Sequence, residues 1–278
     1  MKRILGCTAL ALVLLALTGV AVNAQKEQKE KEKSGSLSCR ENWYSDRLIG
    51  HCEIREQQLA ASGAIAVDGR QNGGISVKGW DRGEVLVRAR IQTAASTQNE
   101  ADELAKLVRV DTSTSKIFAD GPARRKDYQW DVSYEIFVPR RSDVSLETHN
   151  GGIAISDVHG RIDFTALNGG VVLRRVGGTV HGSTTNGGLV IDLDGDRWDG
   201  EELDVSTTNG GIIMNVPENY SAHLVTGTVN GGLNIDFPVT VQGRISRELA
   251  VNLGSGGATV RAMTTNGGVK IKRVTANE

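Results

Sequence analysis

The sequence predicts an all-β chain wound as a single-stranded β-solenoid, a right-handed β-helix with one short capping α-helix. Three observations predict it. Six copies of Asn-Gly-Gly fall within the last 130 residues, beginning at Asn150, Asn168, Asn186, Asn209, Asn230 and Asn266, with an outlying copy at Asn72 and a degenerate Ser255-Gly256-Gly257. The apolar residues around each copy keep one phase. Six positions before each Asn stand Val144, Ile162, Val180, Leu203, Leu224 and Val260; three after stand Ile153, Val171, Leu189, Ile212, Leu233 and Val269. Five after stand Ile155, Leu173, Ile191, Met214, Ile235 and Ile271. All share the period-2 parity of one strand face. Third, the position two before each Asn reads Thr148, Ala166, Thr184, Thr207, Thr228 and Thr264, small or β-branched in every copy.

Repetition at roughly 20 residues marks solenoids, in which no repeat buries its own face and neighbours stack into one core. A meander of hairpins through Asn-Gly turns has the same residue parity. The solenoid is preferred because Asn stacks over Asn and Thr over Thr only when successive repeats are direct neighbours. In this reading the Asn residues are structural turns, and the glycines accept the backbone angles of the bend. The right hand follows from the general rule for crossovers.

The elements follow in chain order. Residues 1–24 read as a signal peptide: Lys2 and Arg3 precede an apolar run over 4–17, and Val22-Asn23-Ala24 suits the peptidase. The run is too short to span a bilayer, and no apolar region precedes Cys7 to make it a lipidation site. Residues 25–36 contain no apolar side chain and read as a disordered charged tether. Residues 37–55 hold Cys39 and Cys52, the only cysteines left after cleavage, expected to close a disulfide in an oxidising compartment. Residues 56–143 form a strand-rich entry region, with alternation at Ile65, Val67, Ile75, Val77, Val85, Val87 and Ala89 and again from Trp130 to Val138. Within it, Ala101, Leu104, Ala105 and Val108 recur at helical spacing, which predicts an amphipathic helix near 98–110. An open solenoid end exposes core and strand edges, so this helix and the disulfide segment have a capping duty. Residues 144–278 are the Asn-Gly-Gly repeat region.

Mixed charge signs in the tether and a net charge of -1 exclude a polyanion-binding profile, so no nucleic-acid partner is expected. No later segment approaches 18 consecutive apolar residues, so the mature chain is expected to lack a transmembrane segment. Two clusters carry chemistry. Five positions before Asn168, Asn186 and Asn209 stand Asp163, His181 and Asp204, one outward column that a polysaccharide-cleaving solenoid could use. The same column reads as an ordinary solvated face, which is the preferred reading. Asp192, Asp194, Asp196 and Asp199, in an insertion ending at Glu201, supply the alternating carboxylates that calcium favours, although Asp and Gly are equally turn residues. Trp198 in that loop either stacks on a sugar or partner or folds back on the repeats. No phosphate loop or nucleophile elbow occurs, so no cofactor is expected.

The run over 132–238, with Ser-Tyr-Glu-Ile-Phe-Val-Pro at its start, serial Asn-Gly-Gly turns, Asn215-Val216-Pro217 and the final Thr264-Thr265-Asn266-Gly267-Gly268-Val269, resembles the bacterial β-strand-repeat domain of unknown function labelled "putative adhesin", similar in architecture to toast-rack-like and head-domain-like β-solenoids. The resemblance implies an exported, non-catalytic envelope interaction or structural module in the periplasm or at the cell surface, with an envelope protein or glycan as partner. It defines no catalytic residue. A carbohydrate-active β-helix enzyme and a periplasmic sensory domain binding a regulatory membrane partner are the alternatives.

Overall fold

The computed structural model describes residues 37–39, 47–113, 116–236 and 247–275. The signal peptide and tether expected over 1–36 lie outside the described residues. The chain is mostly β, arranged as two ten-stranded mixed sheets with the core between them and one α-helix among the described residues.

The middle of the first sheet consists of parallel strands β3 (Ile75–Trp80), β9 (Ile153–Ser156), β11 (Val171–Arg174), β13 (Leu189–Asp192), β15 (Ile212–Pro217), β20 (Val269–Val274) and β17 (Leu233–Ile235). The second sheet is built around parallel strands β2 (Ala64–Asp68), β8 (Asp143–Thr148), β10 (His159–Ala166), β12 (Gly177–Thr184), β14 (Glu202–Asn209), β19 (Thr259–Asn266) and β16 (Ala222–Asn230). From β8 to β15 the chain alternates between the sheets, and each strand lies beside the equivalent strand of the next repeat. The three apolar columns read from the sequence face inward: of their members only Leu233 and Ile235, on the last strand of the first sheet, are not fully buried.

The repeats do not stack in chain order throughout. Asn266 pairs with Asn209 on one side and Asn230 on the other, so the last repeat is inserted between the fourth and the fifth. The fold therefore does not close near Ile271; β17 ends the first sheet, and β18 (Glu248–Leu253) runs antiparallel along β16 to end the second. Each rung offers the same Asn and glycine groups, and all but those of Asn72 and Asn168 the same Thr, so the ladders do not specify which repeat lies next to which. The degenerate Ser255-Gly256-Gly257 forms a turn after β18 instead of a rung, with Gly256 and Gly257 at φ 76° and 135°.

The outlying Asn72 copy joins the stack. Strands β2 and β3 pair directly with β8 and β9, so a rung of the repeat region is supplied by residues 64–80, inside the expected entry region. The intervening chain builds the far end of the fold. Strand β7 (Tyr128–Pro139) lies parallel to β3, β4 (Glu84–Ala95) lies antiparallel to β7, and β1 (Ile49–Ala60) forms the sheet edge. On the second sheet β6 (Lys116–Asp120) pairs with β2, and β5 (Arg109–Asp111) with β6.

The helix α1 (Gln98–Leu107) starts at a capping box in which Thr97 accepts from the Glu100 amide and Glu100 accepts from the Thr97 amide. It buries Ala101, Leu104 and Ala105 against β4, β1 and β7 of the first sheet. Thr93 donates to the Ala101 carbonyl at 2.7 Å, and the Arg55 guanidinium donates to the helix-end carbonyls of Ala105 and Val108 at 2.8 and 2.7 Å. A cation there also complements the negative helix terminus. The expected disulfide is present: Cys39 joins Cys52 on β1 across 13 residues, a closure worth about 3 kcal/mol in the chain-entropy model.

The glycines of the turns serve a different purpose from the one expected. None of the Asn-Gly-Gly glycines has a positive φ. A Cβ on the first glycine would instead stand 2.0–2.2 Å from the carbonyl oxygen of the first glycine in the neighbouring rung, at Gly151, Gly169, Gly187, Gly210, Gly231 and Gly267 alike. The requirement is close backbone approach. The same carbonyls accept the threonine column: Thr148, Thr184, Thr207, Thr264 and Thr228 donate to Gly73, Gly169, Gly187, Gly210 and Gly267 at 2.6–2.8 Å. Ala166 is the exception in this column. Ala166→Thr is expected to add the missing hydroxyl bond to Gly151 and raise unfolding free energy by about 0.5–1.5 kcal/mol, readable by urea titration.

Candidate functional site: the asparagine edge and the outer face of the first sheet

The asparagine side chains form a continuous exposed edge. Each amide nitrogen donates to the carbonyl oxygen of the next rung: Asn230 to Asn266, Asn266 to Asn209, Asn209 to Asn186, Asn186 to Asn168, Asn168 to Asn150 and Asn150 to Asn72. The six bonds span 2.7–3.0 Å and all point the same way. Aligned amides polarise one another, so the edge is a stiff, directional row of hydrogen-bonding groups.

Beside this edge lies a flat strip. The second glycine of successive turns, Gly152, Gly170, Gly188 and Gly211, is exposed on the outer face of the first sheet. Next to them, four residues after Asn150, Asn168, Asn186 and Asn209, Ala154, Val172, Val190 and Ile213 stand in register on adjacent strands, with Lys270 beside Ile213. They point away from the core because their neighbours at odd spacing, such as Ile153 and Ile155, point into it. Ile213 is 37% exposed. A polar column of Ser156, Arg174, Asp192 and Asn215 borders the strip. Arg174 and Asn215 both donate to the carboxylate of Asp192, Arg174 at 3.0 Å. The apolar column is legible in the sequence as an outward position reading Ala, Val, Val, Ile over four successive repeats.

The Asp163, His181 and Asp204 column holds its register despite the insertion before Asp204. The side chains face other partners. His181 Nε2 lies 3.0 Å from Glu202, and Arg261 Nη1 donates to Asp204 at 2.9 Å. The four aspartates of the insertion are likewise spread over separate contacts. Asp192 is held as described; Asp196 pairs with Arg197 at 3.1 Å, which holds its carboxyl below the ordinary value; Asp199 lies 3.2 Å from His159 Nδ1. Asp194 acts at longer range, adding to the burial that raises the Tyr220 hydroxyl pKa. Among the described residues no three His, Cys, Asp or Glu side chains gather in a metal-holding group.

Trp198 folds back on the repeats. It is 5% exposed, and its Nε1 donates to the Gly178 carbonyl at 3.0 Å. The loop backbone is fastened as well, with Gly178 N donating to Asp199 O at 2.7 Å, Glu201 N to Gly178 O at 3.0 Å and Ser221 N to Asp196 O at 2.7 Å.

The chain is similar to a "putative cell adhesion protein" from Clostridium sporogenes, at 10% identity and a TM-score of 0.42, covering 81% of this chain and all of that one. It is also similar to a "putative adhesin" from Bacteroides fragilis, at 12% identity and 0.35, covering 83% and 98%, and to one from Parabacteroides merdae, at 13% and 0.34, covering 80% and 96%. These carry the same adhesin label as the family that the turn motifs resemble. No family model and no curated protein matches the chain in sequence. No described helix is long and apolar enough to cross a membrane.

Proposed function

We propose that this protein is an exported, non-catalytic interaction module of the cell envelope, whose repeats from β8 to β15 act as coils of a rigid β-solenoid. The observation that carries the reading is the side-chain-poor strip on the first sheet, where exposed Gly152, Gly170, Gly188 and Gly211 lie beside Ala154, Val172, Val190 and Ile213. A planar apolar strip bordered by hydrogen-bonding asparagines and a charged column suits a flat protein or glycan surface. Parallel ladders on both sheets make the strip rigid, so binding there orders little of the protein. The disulfide fits an oxidising, extracytoplasmic compartment.

Val190→Lys and Ile213→Lys place charges on the strip without touching the core. The double variant is expected to keep its melting temperature within about 2 °C and to lose at least tenfold in affinity for isolated cell envelopes and purified envelope glycans. Unchanged binding would remove the strip from the function. Release of cleaved glycan, sensitive to Asp163→Ala, would replace this reading with the enzyme.

A further inference from the structure

We infer that the end of the sandwich beside the β1–β2 connection is a binding site for the acyl chain of an anionic single-chain amphiphile. A cavity of about 190 Å³ opens there, walled by Leu59, Ile65, Val85, Ile117 and Val138. Three hydroxyls also line it, and each is already committed as a donor. Ser62 donates to the Ala64 carbonyl at 2.7 Å, Ser142 to the Pro139 carbonyl at 2.8 Å and Thr112 to the Gln57 side chain at 2.7 Å. The cavity therefore has apolar walls and no free hydroxyl donor, the environment that hydrocarbon fills and water leaves. An apolar cavity of about 150 Å³ accepts benzene, so this one holds roughly six to eight carbons.

The head group is set by what lies at the mouth. Gly63 and Ser142 belong both to the cavity and to an adjoining groove that carries Arg140, Arg141, Asp143, His159 and Asp199. Both acids there are engaged: Asp143 accepts from the Arg161 amide at 2.8 Å, and Asp199 lies 3.2 Å from His159. Arg140 is also engaged, with Asp81 at 2.6 Å and Asp157 at 3.7 Å. Arg141 is exposed and has no carboxylate partner among the described residues. A free guanidinium beside an apolar cavity selects a carboxylate or phosphate head over a neutral or cationic one. The cavity's volume selects a single medium chain.

The test is calorimetric titration of the natively exported chain, disulfide intact, with alkanoates from butanoate to dodecanoate, each below its micelle concentration. Affinity is expected to rise about fourfold per methylene and to level off near eight carbons. Octanoate is expected to shift the methyl resonances of Ile65, Val85, Ile117 and Val138. Ile65→Phe should abolish binding by filling the cavity. Arg141→Gln, at the surface and neutral to folding, should weaken octanoate by about two- to fivefold while leaving octanol unchanged. Absence of saturable octanoate binding would overturn the site, as would a chain-length dependence without a plateau or binding only to phospholipid vesicles. An Arg141→Gln variant that bound octanoate as tightly as the native chain would overturn the assignment of an anionic head.

Discussion

Gly169→Ala is expected to destabilise the protein by about 3 kcal/mol or more, whereas Gly170→Ala, one residue on, costs well under half of that. The two positions have the same residue type and lie side by side in the same turn. The added Cβ at 169 would meet the Gly151 carbonyl oxygen at 2.0 Å and its carbon at 2.5 Å, and both are backbone atoms of a rung that is itself held on its far side. At 170 the nearest atom is the Gly188 oxygen at 3.4 Å, an ordinary contact. Relief at 169 requires the rungs to separate, which lengthens the side-chain amide bond from Asn168 to Asn150 and the backbone bond from Asn168 N to His149 O. Urea unfolding of the pair measures the difference directly. Equal costs would mean that the glycines are selected for backbone freedom and not for close packing.

Trp198→Ala is the second large effect, with an expected loss of about 3–5 kcal/mol. The indole is buried against the stack and is hydrogen-bonded through Nε1, so truncation opens a cavity and removes one of the two bonds to the Gly178 carbonyl, which keeps the Glu201 amide. Trp198→Phe keeps most of the buried surface and is expected to cost about 1–2 kcal/mol, for the lost indole hydrogen bond and the smaller ring. Thermal unfolding at neutral pH separates the two variants. A Trp198→Ala protein with native stability and lost glycan capture would instead make this residue a sugar platform. Its neighbour Tyr220 reports on the same packing, because burial first, and then Asp194 and Asp196, raise its hydroxyl pKa. Loosening the loop is expected to let that hydroxyl titrate at lower pH, visible in an ultraviolet titration.

Both predictions concern features that the sequence displayed and local reasoning could interpret only in part. Tandem glycines after Asn announce a turn, and the usual cause of such a pattern is positive φ. Here the cause lies in a residue of another rung, 18 positions away or more, which no local rule reaches. Trp198 was equally ambiguous, because burial of a loop residue depends on where the loop lands. The candidate interaction strip is legible as a column four residues after Asn150, Asn168, Asn186 and Asn209. Its significance required knowing that the adjacent glycines are exposed on the same face and that β9, β11, β13 and β15 stand side by side.

What the sequence by itself determined is the local grammar: strand parity, the inward Val, Ile and Leu columns, the Asn and Thr ladders, helix α1 and the pairing of Cys39 with Cys52. These follow from side-chain periodicity and from chemistry confined to one rung or one helix. The tertiary structure alone decided the order of the rungs, placing Asn72 beside Asn150 and Asn266 between Asn209 and Asn230. The physical reason is degeneracy. The rungs present nearly the same donors, acceptors and inward apolar faces, so one repeat can stand in for another, and neighbours are chosen by the connections and end strands that only the complete fold brings together.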